Sequence, residues 1–135
     1  MTIDDFIDRL PEGITGGLTV CVNGRPRVYR WMYQFGENGE FYFVTSNRED
    51  VYKQIKNNPY ICFYTTADDE TFAITGEAQF ISSEEEKADL FNRANDYIQS
   101  FFSSAESPYL EIFYIGKGEV SYAQGDDHWQ TIKIT

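Results

Sequence analysis

The stretch Gly17-Leu18-Thr19-Val20-Cys21-Val22-Asn23-Gly24, followed by Pro26-Arg27-Val28-Tyr29-Arg30-Trp31-Met32-Tyr33, decides the fold class. Leu18, Val20 and Val22 alternate with Thr19 and Cys21, the two-residue period of a half-buried strand. Asn23-Gly24 supplies two residues that accept the positive φ of a tight hairpin turn, so the strand must return on itself. The return runs over about 26–35, and a second turn signal, Glu37-Asn38-Gly39, leads into a strand from Glu40 to Thr45. Three consecutive strands joined by tight turns form an antiparallel meander.

Outward from the meander, helical and extended patterns alternate. Ile3, Phe6, Ile7 and Leu10 have helical spacing, ended by Pro11 and Gly13. Asn47 is placed to cap a helix over 48–57, with Asp50 at its third position and Asn57-Asn58-Pro59 stopping it. Strands follow near 60–66 and 71–81, with acidic residues 68–70 between them. Ser83 and Glu86 have capping-box spacing for a helix over 84–102, which sets Ala88, Phe91, Ala94, Ile98 and Phe101 on one face. Residues 109–115 and 118–124 read as strands about a kink at 116–118, and 129–134 as a last short strand. The order predicts an α+β protein: an antiparallel, barrel-like sheet with three peripheral helices.

A chain of 135 residues accommodates one domain, 1–135, and can bury its core without staples. Cys21 and Cys62 both fall in apolar alternating runs, where a reduced thiol acts as a small hydrophobe. Asp4, Asp5, Asp8 and Arg9 interrupt any signal-peptide pattern, and no run approaches the length of a membrane span. The expectation is a soluble, cytoplasmic protein without membrane partners. A net charge of −11 repels phosphate backbones and argues against nucleic acid. That charge is uneven. Residues 25–56 hold six bases (Arg25, Arg27, Arg30, Arg48, Lys53, Lys56) against four acids, whereas 68–106 hold ten acids and two bases. The basic window suits a small anion or is ordinary surface scatter. Aromatic residues make up 17% of the chain, more than one small core uses, and predict an aromatic interface, a planar-ligand pocket, or both.

Two constellations carry binding chemistry. At Phe43-Val44-Thr45-Ser46-Asn47-Arg48 a strand meets a helix N-terminus, whose free N–H groups and partial positive charge suit phosphate. Thr45 and Ser46 add hydroxyls, and the Lys53 side chain leans back towards the same point; alternatively Ser46 and Asn47 merely cap and Lys53 is solvated. In Arg27-Val28-Tyr29-Arg30-Trp31, cationic and aromatic side chains alternate as a flat, phosphorylated ligand would need, or else Tyr29 and Trp31 are core. Catalytic signatures are missing. His128 is the sole histidine, which excludes a clustered-histidine metal site and a conventional triad, and Asp126-Asp127-His128 reads as an exposed turn. No metal site is expected, no catalytic residue is assigned, and any redox chemistry would come from a bound cofactor.

The segments 26–31 and 37–39, the run Phe41-Tyr42-Phe43-Val44-Thr45-Ser46-Asn47, the run 51–59, Gly76 within 72–78, and Leu110-Glu111-Ile112-Phe113-Tyr114 together resemble the pyridoxamine 5'-phosphate oxidase-like family, in its short nitroimidazole-resistance and general-stress forms. The resemblance implies a split β-barrel that binds FMN at a homodimer interface, and an oxidoreductase passing electrons from a reduced nicotinamide to a small acceptor. A deazaflavin or haem is the alternative ligand, and a non-catalytic flavin- or haem-binding sensor the alternative function. Carried over by position, Arg27, Val28, Tyr29, Arg30 and Trp31 would line the ring and ribityl chain. Thr45, Ser46 and Lys53 would approach the phosphate, and Thr71 would reach the ring from the side. Two departures stand out. Family members commonly carry Lys or Arg where this chain has Glu49, Asp50 and Val51, leaving Arg48 or Lys53 to compensate. True pyridoxamine phosphate oxidases also end in a basic segment, whereas this sequence ends in Gln130-Thr131-Ile132-Lys133-Ile134-Thr135, so pyridoxal phosphate synthesis is not expected.

Overall fold

Alternation in the first two strands builds the hairpin as read: β1 (Thr15–Val22) pairs antiparallel with β2 (Arg25–Glu37) across Asn23 (φ 53°) and Gly24 (φ 76°). The computed structural model describes residues 1–134; Thr135 lies outside the described residues. β3 (Glu40–Ser46) follows β2 through Asn38 and Gly39, both at positive φ. The remaining strands are β4 (Tyr60–Ala67), β5 (Glu70–Phe80), β6 (Leu110–Gln124) and β7 (Gln130–Lys133). Their order is β3-β2-β1-β4-β5-β6-β7, and β3 also pairs with β6, with Phe43 opposite Phe113. That pairing closes six strands into an antiparallel barrel and leaves β7 outside on β6, the α+β split barrel expected.

Inward-facing residues fill the barrel. Leu18, Tyr33, Phe43, Phe63, Phe72, Ile74 and Phe113 are fully buried, and the Phe43 and Phe113 rings stack with centroids 5.3 Å apart. α1 (Ile3–Arg9), capped by Thr2 and Asp5, inserts Phe6 edge-on to Phe41 and Phe72. α2 (Asp50–Asn57) adds Val51 and Ile55 to the same core. Strand β3 is buried on both faces from Phe41 to Thr45. α3 (Glu84–Asn92) lies over the outer face and forms a second core from Leu90 and Phe91 with Phe35, Tyr42, Val44 and Ile112. Much of the aromatic surplus is spent there. No helix among the described residues is long and apolar enough to cross a membrane.

Three local expectations are corrected. Among the described residues there are four helices, because the expected 84–102 helix breaks: Asn95 adopts φ −59°, ψ 139°, and its side chain accepts from Tyr97 N to cap a separate α4 (Asp96–Gln99). Its own N–H donates to Gln34 Oε1 at 2.8 Å, so the break is held from outside the helix. A short polar side chain offers the backbone that alternative to continuing a helix. Asn47 does not cap α2, whose N-cap is Glu49 without a side-chain bond; the Asn47 amide instead donates to Pro108 O and Glu111 Oε2. The expected pair 109–115 and 118–124 is one continuous strand, β6, which absorbs its irregularity through a register shift against Gly76–Ala78.

Candidate functional site

Where β2 leaves the hairpin and β3 runs into α2, the outer surface of the barrel is hollowed into a cavity of about 810 Å³. That lies towards the upper end of the range typical of cofactor pockets, about 300–1,000 Å³. One side is built by Arg30, Trp31 and Met32 and the next by Val44 through Ser46 with Arg48 and Glu49. The third, from α4 and the loop before β6, presents Tyr97, Phe101 and Tyr109.

Several of these groups are held in place. The Trp31 indole N–H donates to Val44 O at 3.2 Å, tying β2 to β3 at the cavity. Ser46 shapes the turn into α2: its Oγ accepts from Arg48 N, and its carbonyl from Glu49 N. The Arg48 guanidinium lies 3.4 Å from the Tyr109 ring centroid, a cation–π stack that fixes a long, charged side chain beside the cavity. Burial raises the Glu49 carboxyl above its usual range.

The decisive atom is Thr45 Oγ1. Thr45 is 2% exposed and lines the cavity, yet its hydroxyl has no hydrogen-bond partner among the described residues. An unpaired buried hydroxyl costs roughly 1–3 kcal/mol, which a bound polar group would relieve. Tyr33 Oη is orphaned too, but it lies in the barrel core and lines no part of the cavity.

Of the residues singled out in the sequence, the structure brings Arg30, Trp31, Thr45 and Ser46 together around the cavity. Arg27 and Val28 are exposed nearer the hairpin, opposite Val20 and Thr19 of β1. Tyr29 is turned towards α2, where its hydroxyl donates to Gln54 Oε1 at 2.7 Å. Lys53 is exposed on α2, and Thr71 sits on β5 between Thr66 and Ala123; neither lines this cavity. Tyr97, Phe101 and Tyr109 went unnoticed because an unbroken helix would have buried Phe101 and left no reason to bring this loop to β2. Among the described residues, none of the six bases in 25–56 forms a salt bridge; the ion pairs involve Arg9, Lys87 and Arg93. The basic window is therefore not neutralised by close carboxylates. No group of three or more potential metal ligands occurs among the described residues.

The sequence profile of the pyridoxamine 5'-phosphate oxidase family matches residues 9–122. The chain belongs to this family. No curated protein matches it significantly in sequence. Solved structures agree on the fold. A NimC/NimA family protein from Clostridium acetobutylicum superposes with a TM-score of 0.80 at 21% identity, covering 96% of this chain and 93% of that one. A pyridoxamine 5'-phosphate oxidase-related, FMN-binding protein from Nostoc punctiforme gives 0.68 at 14% identity, covering 98% and 93%. A heme binding protein from Mycobacterium smegmatis gives 0.72 at 12% identity, covering 89% of this chain and 52% of that one. Family membership thus rests on the sequence profile, and the structural likenesses bear on the barrel itself.

Proposed function

We propose that residues 1–135 form an FMN-binding flavoprotein of the split-barrel type. The observation that carries this reading is the orphaned Thr45 hydroxyl in a cavity walled by aromatic rings and edged by two arginines. A flavin has a flat apolar ring, a hydroxylated chain and a dianionic phosphate, and the residues present fit each part. Trp31, Tyr97 and Phe101 offer apolar and stacking surface, Thr45 and Ser46 offer hydroxyls, and Arg30 and Arg48 offer charge. Arg48 rather than Lys53 takes the place of the basic residues missing at 49–51, because Arg48 reaches the cavity and Lys53 does not. Arg27, Val28 and Tyr29 then support the strand that carries the site.

A bound flavin would supply electron transfer, and we read the protein as an oxidoreductase taking electrons from a reduced nicotinamide to a small acceptor. The chain's residues bind and orient; the cavity lining has no histidine or cysteine. Haem stays the alternative ligand, since the lining holds Met32, Tyr97 and Tyr109, two residue types that can ligate haem iron. A deazaflavin would present the same phosphate and tricyclic ring. A non-catalytic flavin module is the second reading, favoured by Glu49 beside the anion-binding groups. Steady-state reduction of an acceptor by NADH or NADPH separates the two, with turnover expected.

We also propose a homodimer. Tyr97, Phe101 and Val28 are 61%, 63% and 66% exposed, an apolar cost that a second copy would remove. Thr71, away from its own chain's cavity, would then be available to the other copy's. Sedimentation should give about twice the 15.7 kDa chain mass; a monomer at micromolar concentration would sink this part.

Thr45→Val tests the site directly, since it keeps the shape and removes only the orphaned hydroxyl. The ligand-free protein should melt at the same temperature or slightly higher, while FMN affinity falls about 3–10-fold, the worth of one net hydrogen bond. Lower ligand-free stability with unchanged affinity would mean that the hydroxyl serves the fold instead.

A further inference from the structure

Lys87 is 8% exposed on α3, an unusual place for an ammonium group. Its Nζ donates to Leu110 O at 3.2 Å and lies 3.8 Å from Glu111 Oε1 and 3.4 Å from the exposed Glu84 Oε1. The other oxygen of Glu111 accepts from Asn47 Nδ2 at 3.1 Å. That amide also donates to Pro108 O at 2.8 Å, and Asn47 N donates to Tyr109 O at 2.9 Å. The chain of contacts therefore runs from a buried cation through a half-buried carboxylate to the residue between Ser46 and Arg48. It also grips the loop that carries Tyr109. Packing alone does not call for it, because methionine would fill the same volume without the desolvation cost of a buried charge.

We propose that Lys87, acting through Glu111 and Asn47, is a positioning residue for the Arg48–Tyr109 stack at the edge of the cavity. The inference rests on the flavin reading, and it assigns Lys87 no contact with the ligand. Lys87 holds Glu111; Glu111 orients the Asn47 amide; Asn47 locks the backbone on both sides of the stack. A merely structural lysine would lower stability without discriminating among ligand-binding partners.

The test is a double-mutant cycle on the dissociation constant of FMN, using the wild type, Lys87→Met, Lys87→Arg, Arg48→Ala and the Lys87→Met/Arg48→Ala pair. Lys87→Met should weaken binding about 5–10-fold and Lys87→Arg should restore it to within about 3-fold, while Lys87→Met should cost nothing further once Arg48 is gone. Wild-type affinity in Lys87→Met, or the same loss with and without Arg48, would overturn the proposal. Should Lys87→Met fail to fold, Glu111→Gln replaces it in the cycle with the same non-additivity expected. A wild-type chain that binds no FMN overturns the flavin reading itself, and this inference with it.

Discussion

Arg48→Ala is expected to weaken FMN binding about 10–100-fold, whereas Lys53→Ala should leave it within about 2-fold. The first figure follows from losing a charge-assisted hydrogen bond to phosphate, worth roughly 1.5–3 kcal/mol. The contrast follows from position. Arg48 is stacked 3.4 Å from the Tyr109 ring and lines the cavity, so little side-chain entropy remains to be lost when an anion arrives. Lys53 projects from α2 into solvent and lines no part of the cavity. Glu49 works in the opposite direction: it lines the same cavity, and desolvation already disfavours its charged form. Glu49→Gln should therefore tighten FMN by about 2–5-fold, as expected when a repulsive charge near a dianion is removed. Isothermal titration of the three variants checks the set. Equal losses in Arg48→Ala and Lys53→Ala would move the phosphate away from the Arg48 edge.

Gly76→Ala should destabilise the fold by about 3 kcal/mol, lowering the melting temperature by on the order of 10 °C. Gly76 of β5 faces Gly118 of β6 at the register shift. A Cβ on Gly76 would run into Lys117 O and lie 2.9 Å from Ile115 Cγ2. The first of these obstacles is backbone, which cannot swing aside. Gly118 mirrors the constraint, with φ +139° and a Cβ position blocked by Thr75 O, so neither strand can yield to the other. Separation of the strands would break ladder hydrogen bonds on both sides of the shift, and flavin affinity should fall only in proportion to the loss of folded protein. Thermal unfolding by circular dichroism decides it; a melting temperature within 1 °C of wild type would contradict the close crossing.

Elements governed by local pattern were legible in the sequence. The Asn23-Gly24 and Asn38-Gly39 turns and the alternating Leu18 and Val20 follow from turn chemistry and period, and all stand where expected. What escaped depended on long-range partners. Asn95 breaks a helix whose apolar spacing is continuous, because Gln34, sixty-one residues away, takes its N–H. Asn47 is drawn from capping by Pro108 and Glu111 across the β3–β6 pairing. Closure of the barrel by β3 and β6 creates the second effect and a contact with β2 the first, and no local window contains either. For the same reason half of the cavity was visible in the sequence, the half on β2 and β3. In the aromatic wall, Tyr97 and Phe101 lie beyond the helix break at Asn95, and Tyr109 comes from the loop before β6.

The central claim is that this cavity holds FMN. The measurement that tests it most directly is the visible absorption spectrum of the purified chain after incubation with excess FMN and desalting. Retained flavin bands at about one FMN per chain are expected, with the ring absorption perturbed by aromatic contact. A colourless protein that returns all the flavin to the buffer would contradict it, leaving a split barrel whose Arg48 edge and Thr45 hydroxyl serve some other ligand.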